Sequence, residues 1–213
     1  MFQRDYMMRM IQQMTEAMAQ VMGMRQRKEH QEALRLIDDL LDRKLRLKPN
    51  LVYALSEEDL IRLLTTSGVA DIVSLQGIAR LLKEAGDIHM AEGDEATGYA
   101  RWIKSLNLNL RLSLLDAEPV IADPDEEAEQ LLRSLAAYEL PPGTKRQLAA
   151  WHEQRRRYDQ AENWLHEWLE DGGGTAEEAA AFYLRLLKLS DERLETGGLP
   201  RHEVESGLAG IHQ

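Results

Sequence analysis

Glu162, His166 and Glu170 follow one another at intervals of four, which on a helix stacks an imidazole between two carboxylates, a spacing able to hold a divalent cation. Exposed Glu/His pairs are common on helices, so no metal is assigned. His152–Glu153 lacks the second histidine of a helical zinc-protease motif. Gly172–Gly173–Gly174 follows a helical stretch instead of opening one, so it cannot present a helix N-terminus to a phosphate. Neither a nucleophile elbow nor a P-loop occurs, and no carboxylate pair has an apolar setting that would raise a pKa for acid–base work. The sequence therefore reads as a non-enzyme with no cofactor.

Charge narrows the partner classes. The net charge of −11 argues against nucleic acid, whose affinity is built from clustered Lys and Arg. The balance is uneven. Residues 25–48 hold eight basic and five acidic side chains, and 145–157 hold five basic and one acidic. Pairs such as Asp39–Arg43 fit a solvated helix face. Arg155–Arg156–Arg157 fits an acidic peptide or phosphate equally well as a helix C-terminus.

The chain has 213 residues, with 44% hydrophobic and 30% charged, enough for a sizeable core. It has no cysteine, so neither disulfides nor thiolate chemistry is available. The opening MFQRDYMMRM is too charged for a secretory leader, and no apolar run reaches the ~18 residues of a membrane span, so the expected location is cytoplasmic with no membrane partner.

The elements that must position any site are helices; no candidate strand is visible. Nine helices are expected: 3–23, 27–46, one from Ser56, 70–91, 94–115, one from Asp123–Pro124, 145–156, 159–170 and 176–190. Ser56 and Asp123 read as N-caps, the latter followed by proline at the first helical position. Lys48–Pro49–Asn50 reads as a loop, Thr65–Thr66–Ser67–Gly68 as a break and Gly172–Gly174 as a flexible stop. A single helical domain is expected over 1–194, with a Met-rich helix at 1–24, units near 25–55, 56–118 and 119–190, and a loose tail over 195–213.

One skeleton recurs three times: Ala33–Ile37–Leu40–Leu41, Gly98–Trp102–Ser105–Leu106 and Ala161–Leu165–Trp168–Leu169. The small positions lie 65 and 63 residues apart. A small residue lets two helix backbones approach, and the apolar row behind it buries against the partner. A preceding helix matches in two copies, as Ala85–Gly86…His89 and Leu148–Ala149…His152. These histidines read as a shared packing device beside the turn.

Over 79–106 and 142–170 this pattern resembles a tetratricopeptide repeat, with weaker agreement over 17–41. The resemblance implies an all-α fold of stacked antiparallel helix pairs, a short solenoid. Trp168 departs from it, standing where the motif has a small residue, and the interval is about twice the usual period of about 34 residues. The run Phe2–Ile11, with Leu81–Ile88, also looks like an uncharacterised family of small Gram-positive bacterial (Firmicutes) proteins, which brings no known activity. The repeat resemblance implies that the first helix of each pair lines a concave face. Arg80, Lys83 and Asp87 in the central unit, Arg146 and Glu153 in the third, and Arg25 from the end of helix 1 would project there. Such a mixed, mildly basic groove suits an extended acidic peptide. Asp87 stands where chaperone-binding members carry an asparagine, so that activity is not implied.

Eight of the nine methionines lie within the first 24 residues. Met7, Ile11, Met14, Met18 and Val21 alternate by four and three, a coiled-coil seam. Three roles stay open for this helix: core, homodimer seam, or docking surface for another protein. Trp151, Tyr158, Trp164 and Trp168 read as core or repeat interface. The functional expectation is an interaction module for a protein or peptide, with a structural homo-oligomer built on helix 1 as the alternative.

Overall fold

Five helices begin on a side chain that accepts a hydrogen bond from the first turn, which is why they start where they do. In the computed structural model, which describes the backbone of residues 2–211 and the side chains of 8–211, Ser56 caps the helix Glu57–Leu63 through the Asp59 amide at 3.1 Å. Asp71, Asp94 and Asp123 cap the helices Ile72–Ala91, Glu95–Leu114 and Pro124–Ser134, and Thr175 builds a reciprocal capping box with Glu178 at the helix Ala176–Leu186. The fold is all-α, with twelve α-helices and one minimal hairpin among the described residues.

The chain divides into two compact units, 1–138 and 139–213. The first holds α1 (Phe2–Gln26), α2 (His30–Asp39), α3 (Pro49–Ala54), α4 (Glu57–Leu63), α5 (Ile72–Ala91), α6 (Glu95–Leu114) and α7 (Pro124–Ser134). Its core gathers Val21, Ile37, Leu41, Val52, Leu60 and Ile78 around the α5–α6 pair. The second holds α8 (Pro142–Gln154), α9 (Tyr158–Glu170), α10 (Ala176–Leu186), α11 (Asp191–Thr196) and α12 (Arg201–Ile211). Ala161, Leu165, Phe182, Tyr183, Leu194 and Val204 fill its core.

The repeat signal has a backbone counterpart. Lys28, Gly93 and Arg156 each adopt a left-handed conformation, φ 61°, 80° and 60°, each five residues before a skeleton's small residue. Around each, the same bonds recur: Glu29 N–H to Met24 C=O at 2.9 Å, Asp94 to His89 at 2.9 Å, Arg157 to His152 at 3.0 Å. This six-to-one bond with a left-handed residue is a Schellman turn. The same turn also ends α6 at Asp116, α9 at Gly172 and α11 at Gly198, so it is a general way this chain ends a helix; of the three repeat copies only the central one has the glycine that the conformation favours. Beyond the central turn, a Cβ on Gly98 would stand 2.8 Å from Met90 Cγ and 3.1 Å from the Met90 nitrogen, so the α5–α6 crossing needs glycine.

The structure departs from the expected nine helices in three places. Pro49 opens α3 as its first helical residue, where a loop was expected, and Val52 is buried from it. The expected loose tail forms α11 and α12; Leu199 and Val204 are buried, and the Gly207 backbone lies against the Tyr183 ring. Glycine lowers helix propensity, but here it permits that contact, and burial outweighs propensity. Helix α2 stops at Asp39 and continues as a π-helical turn over Leu40–Lys44. The wider turn keeps Leu40 and Leu45, five apart, on the buried side, with Leu45 N–H donating to Leu40 C=O at 3.1 Å. At the expected break, Thr65–Thr66 pairs antiparallel with Val69–Ala70 across Ser67–Gly68, a two-residue strand pair too short to show as alternation. The Gly172–Gly174 run closes α9 with Gly172 at φ 69°, and Gly174 lies against Trp168, where a Cβ would stand 2.7 Å from Cζ3.

Candidate functional site

The six charged residues assigned to a concave face fall into two groups. In the first unit, four converge. Arg25 at the end of α1 reaches α5, where Nη1 lies 3.2 Å from Glu84 Oε2 and pairs with Asp87. One turn earlier, Arg80 Nη2 lies 3.2 Å from Glu84 Oε1, and Nη1 pairs with Glu127 of α7. Lys83 Nζ lies 3.1 Å from Asp87, whose other oxygen accepts from Trp102 Nε1 at 2.9 Å. Three cations therefore meet three carboxylates. Glu84 is fully buried, and neither of its oxygens accepts a hydrogen bond. Burial pushes its carboxyl above the ordinary glutamate range, against the pull of Arg25, Arg80 and Lys83.

In the second unit, Arg146 and Glu153 of α8 line one cavity of about 210 Å³ together with α10. Its floor is apolar, with Leu165 and Trp168 from α9 and Phe182 from α10, all buried. Its rim is charged. Arg185 forms a two-pronged pair with Glu153, both bonds at 2.7 Å, and this lifts the guanidinium's pKa above its usual value. Arg146 stands over Trp168, 5.6 Å from the ring centroid, with Glu178 at 4.0 Å. Arg146 and Arg185 remain 67% and 54% exposed, so the rim can rearrange around an occupant.

The remaining sequence candidates have other partners. Met14, Met18 and Val21, carried above as an oligomer interface, are 1%, 6% and 0% exposed in the first unit's core; neighbours in the same chain fill the seam. Ile11 is half-buried, and the side chain of Met7 lies outside the described residues. Glu162 and His166 converge on the buried Tyr183 hydroxyl, which donates to Glu162 Oε1 at 2.7 Å and lies 3.0 Å from His166 Nε2. Burial, then Glu162, raises the Tyr183 pKa. Among the described residues no three His, Cys, Asp or Glu side chains group closely enough to hold a metal ion. In the run 155–157, Arg155 ends α8, Arg156 makes the turn and Arg157 stands over Trp151 at 5.6 Å, so the run serves the helix junction. His89 and His152 both supply the carbonyl that closes their Schellman turns.

Glu84, Glu127, Glu178, Phe182 and Arg185 escaped the sequence reading. Glu84 and Glu127 carry no local mark of burial, since their partners come from α1 and α7, far along the chain. Phe182 and Arg185 lie outside the repeat skeleton. Trp168 had a signal, being large where the motif is small, and it floors the cavity.

Among the described residues no helix is long and apolar enough to cross a membrane. No curated protein and no solved structure matches the sequence. A model described as a family of unknown function, DUF6483, matches residues 1–213, and the chain belongs to that family.

Proposed function

We propose that the protein is a non-enzymatic interaction module of tetratricopeptide-like helix pairs, whose α8–α10 cleft takes an extended peptide. One observation carries the reading: Arg146 and Glu153, assigned to a groove by repeat spacing alone, line the same apolar-floored cavity. The floor of Leu165, Trp168 and Phe182 suits one bulky apolar side chain. Two arginines and two glutamates on the rim suit a peptide with charges flanking that anchor, its acidic groups drawn to Arg146 and Arg185. With rim charges balanced, the apolar anchor supplies the affinity and the charges set the orientation.

Ala150 and Ala181 line this cavity while exposed, so each tolerates a larger side chain without disturbing the core. Selection from a displayed peptide library on the whole protein should yield sequences sharing an apolar residue flanked by charge. Ala150→Trp or Ala181→Trp, by filling the cleft, should abolish their binding while the circular dichroism spectrum stays unchanged. Selected peptides that bind both variants as tightly as the parent would place recognition elsewhere.

A further inference from the structure

A second cavity, of about 320 Å³, lies between α1 and the π turn in the first unit. Four cations share its lining: Arg9 from α1, and Arg43, Lys44 and Arg46 from the π turn and the residues after it. Among the described residues no carboxylate lines it. In a chain of net charge −11 this lining differs from the cluster around Glu84, where the carboxylates lie among the cations.

We propose that this cavity binds a small phosphorylated molecule. Two features place the charges there. The π turn, set by the spacing of Leu40 and Leu45, is a helix irregularity that recurs at functional sites. Arg46 then stands at φ 57°, a conformation that an L-residue adopts at a cost and glycine adopts freely. Arg46 closes the π turn as Lys28 and Arg156 close their helices, with Leu47 N–H donating to Leu41 C=O at 2.9 Å, and it lines the cavity beside Arg43 and Lys44. Among the described residues Arg46 makes no hydrogen bond or ion pair, and it is exposed.

Asp39 and Asp42, the acids nearest the π turn in sequence, leave Arg46 without a carboxylate. Asp39 lies 3.5 Å from Arg43, but both are more than half exposed. Asp42 is paired with Lys48 at 2.8 Å. Lys44 donates to Gln13, a neutral member of the lining, at 3.1 Å.

The chemistry of the lining selects the ligand. Guanidinium forks match phosphate oxygens two at a time, and three arginines with one lysine suit a doubly charged phosphate or a diphosphate. Met10 and Met14 form an apolar wall for the organic part. The volume is near the lower end of small-molecule sites, about 300 Å³ and upward, so the ligand is compact. A nucleic acid would need a basic stripe along several phosphates, and this cavity is a single cluster.

The test uses the full chain with inorganic pyrophosphate and glycerol phosphate as probes, followed by calorimetry and thermal unfolding. Each should bind saturably, raise the unfolding temperature and bind more weakly as salt rises. Arg46→Gly removes the guanidinium and also relieves the left-handed strain, so a loss of binding cannot be ascribed to unfolding. It should weaken both probes about tenfold, the scale of one charge-assisted hydrogen bond. Arg156→Gly, which makes the same backbone change at a turn of the second unit, should leave binding unchanged. Failure of both probes to bind at millimolar concentration overturns the proposal, as does binding that Arg46→Gly leaves intact. Co-sedimentation with phosphatidic acid vesicles without binding of the soluble probes would assign the site to a lipid headgroup instead. Tighter binding to a single-stranded oligonucleotide, with a steep salt slope, would also reject the small-molecule reading.

Discussion

The two halves of the repeat treat the same position differently. In the first unit, the outer face of α5 is covered: Arg25 and Met22 of α1 reach Arg80 and its neighbours, Glu127 of α7 closes the other side, and the charges satisfy one another. In the second unit, the equivalent face of α8 meets α10 across a cleft whose arginines keep most of their exposure. Register alone does not make a binding surface. What lies over the register decides whether a charge becomes structure or remains available, and a helix distant in sequence supplies that cover.

The largest expected effect separates these two roles. Arg80→Ala would leave Glu84 and Glu127, both buried, without their shared partner, and removing one member of a buried ion pair costs about 3–5 kcal/mol. Arg146→Ala, on an exposed rim, should cost less than about 1 kcal/mol. Denaturant unfolding of both variants measures the contrast. Equal losses would erase the distinction between cluster and cleft.

Helix packing gives the next test. Gly98→Leu drives a side chain into Met90 and its backbone nitrogen, and overpacking of this kind costs about 1–3 kcal/mol. Ala161, fully buried at the matching place, already accommodates a Cβ, so the second crossing is looser at this position. Gly98→Ala should therefore lower the unfolding temperature. An unchanged temperature would mean that the first crossing has more room than its glycine implies.

The same contrast explains how much was legible in advance. Capping residues and the small-residue skeleton are local signals, so α4, α7 and the α5–α6 and α8–α9 pairs were readable from Ser56, Asp123, Gly98 and Ala161. The grouping of Arg146 with Glu153 followed from their being two helical turns apart on one helix. Glu84 was not readable, because nothing near it in sequence says that Arg25 will arrive from α1. The π turn was hidden too: Leu40, Leu41 and Leu45 look like an ordinary helical stripe, and only the φ of Arg46 shows where the helix gives way. The tail was not readable as helix because its glycines lower helix propensity, whereas Gly207 serves a contact with Tyr183.

Titration offers a subtler probe of the buried cluster. Burial raises the Glu84 pKa, so the folded state holds this proton to higher pH than the unfolded chain does. As pH rises above the ordinary glutamate range, folding must take up a proton that the unfolded chain has already lost, and stability falls through that window. Glu84→Gln removes the titration. The stability difference between variant and parent should shift in the variant's favour as pH rises. A difference curve of the opposite slope would show that the three cations, not burial, control this carboxyl, and a flat one that the two cancel.

The smallest effect concerns the turn that both units share. Lys28 and Arg156 occupy the left-handed position of their Schellman turns, which Gly93 fills at the end of α5. An L-residue there meets its own carbonyl, a strain glycine avoids, although glycine gives back part of the gain through its more flexible unfolded chain. Lys28→Gly and Arg156→Gly should each raise stability by about 0.5–1 kcal/mol, and Gly93→Ala should lower it by a similar amount. Both lysine and arginine are exposed at these positions, so little else changes with the substitution. Equal gains at 28 and 156 would establish the turn as one device used in both units. A gain at one position alone would show that the turns, though alike in hydrogen bonding, bear different strain.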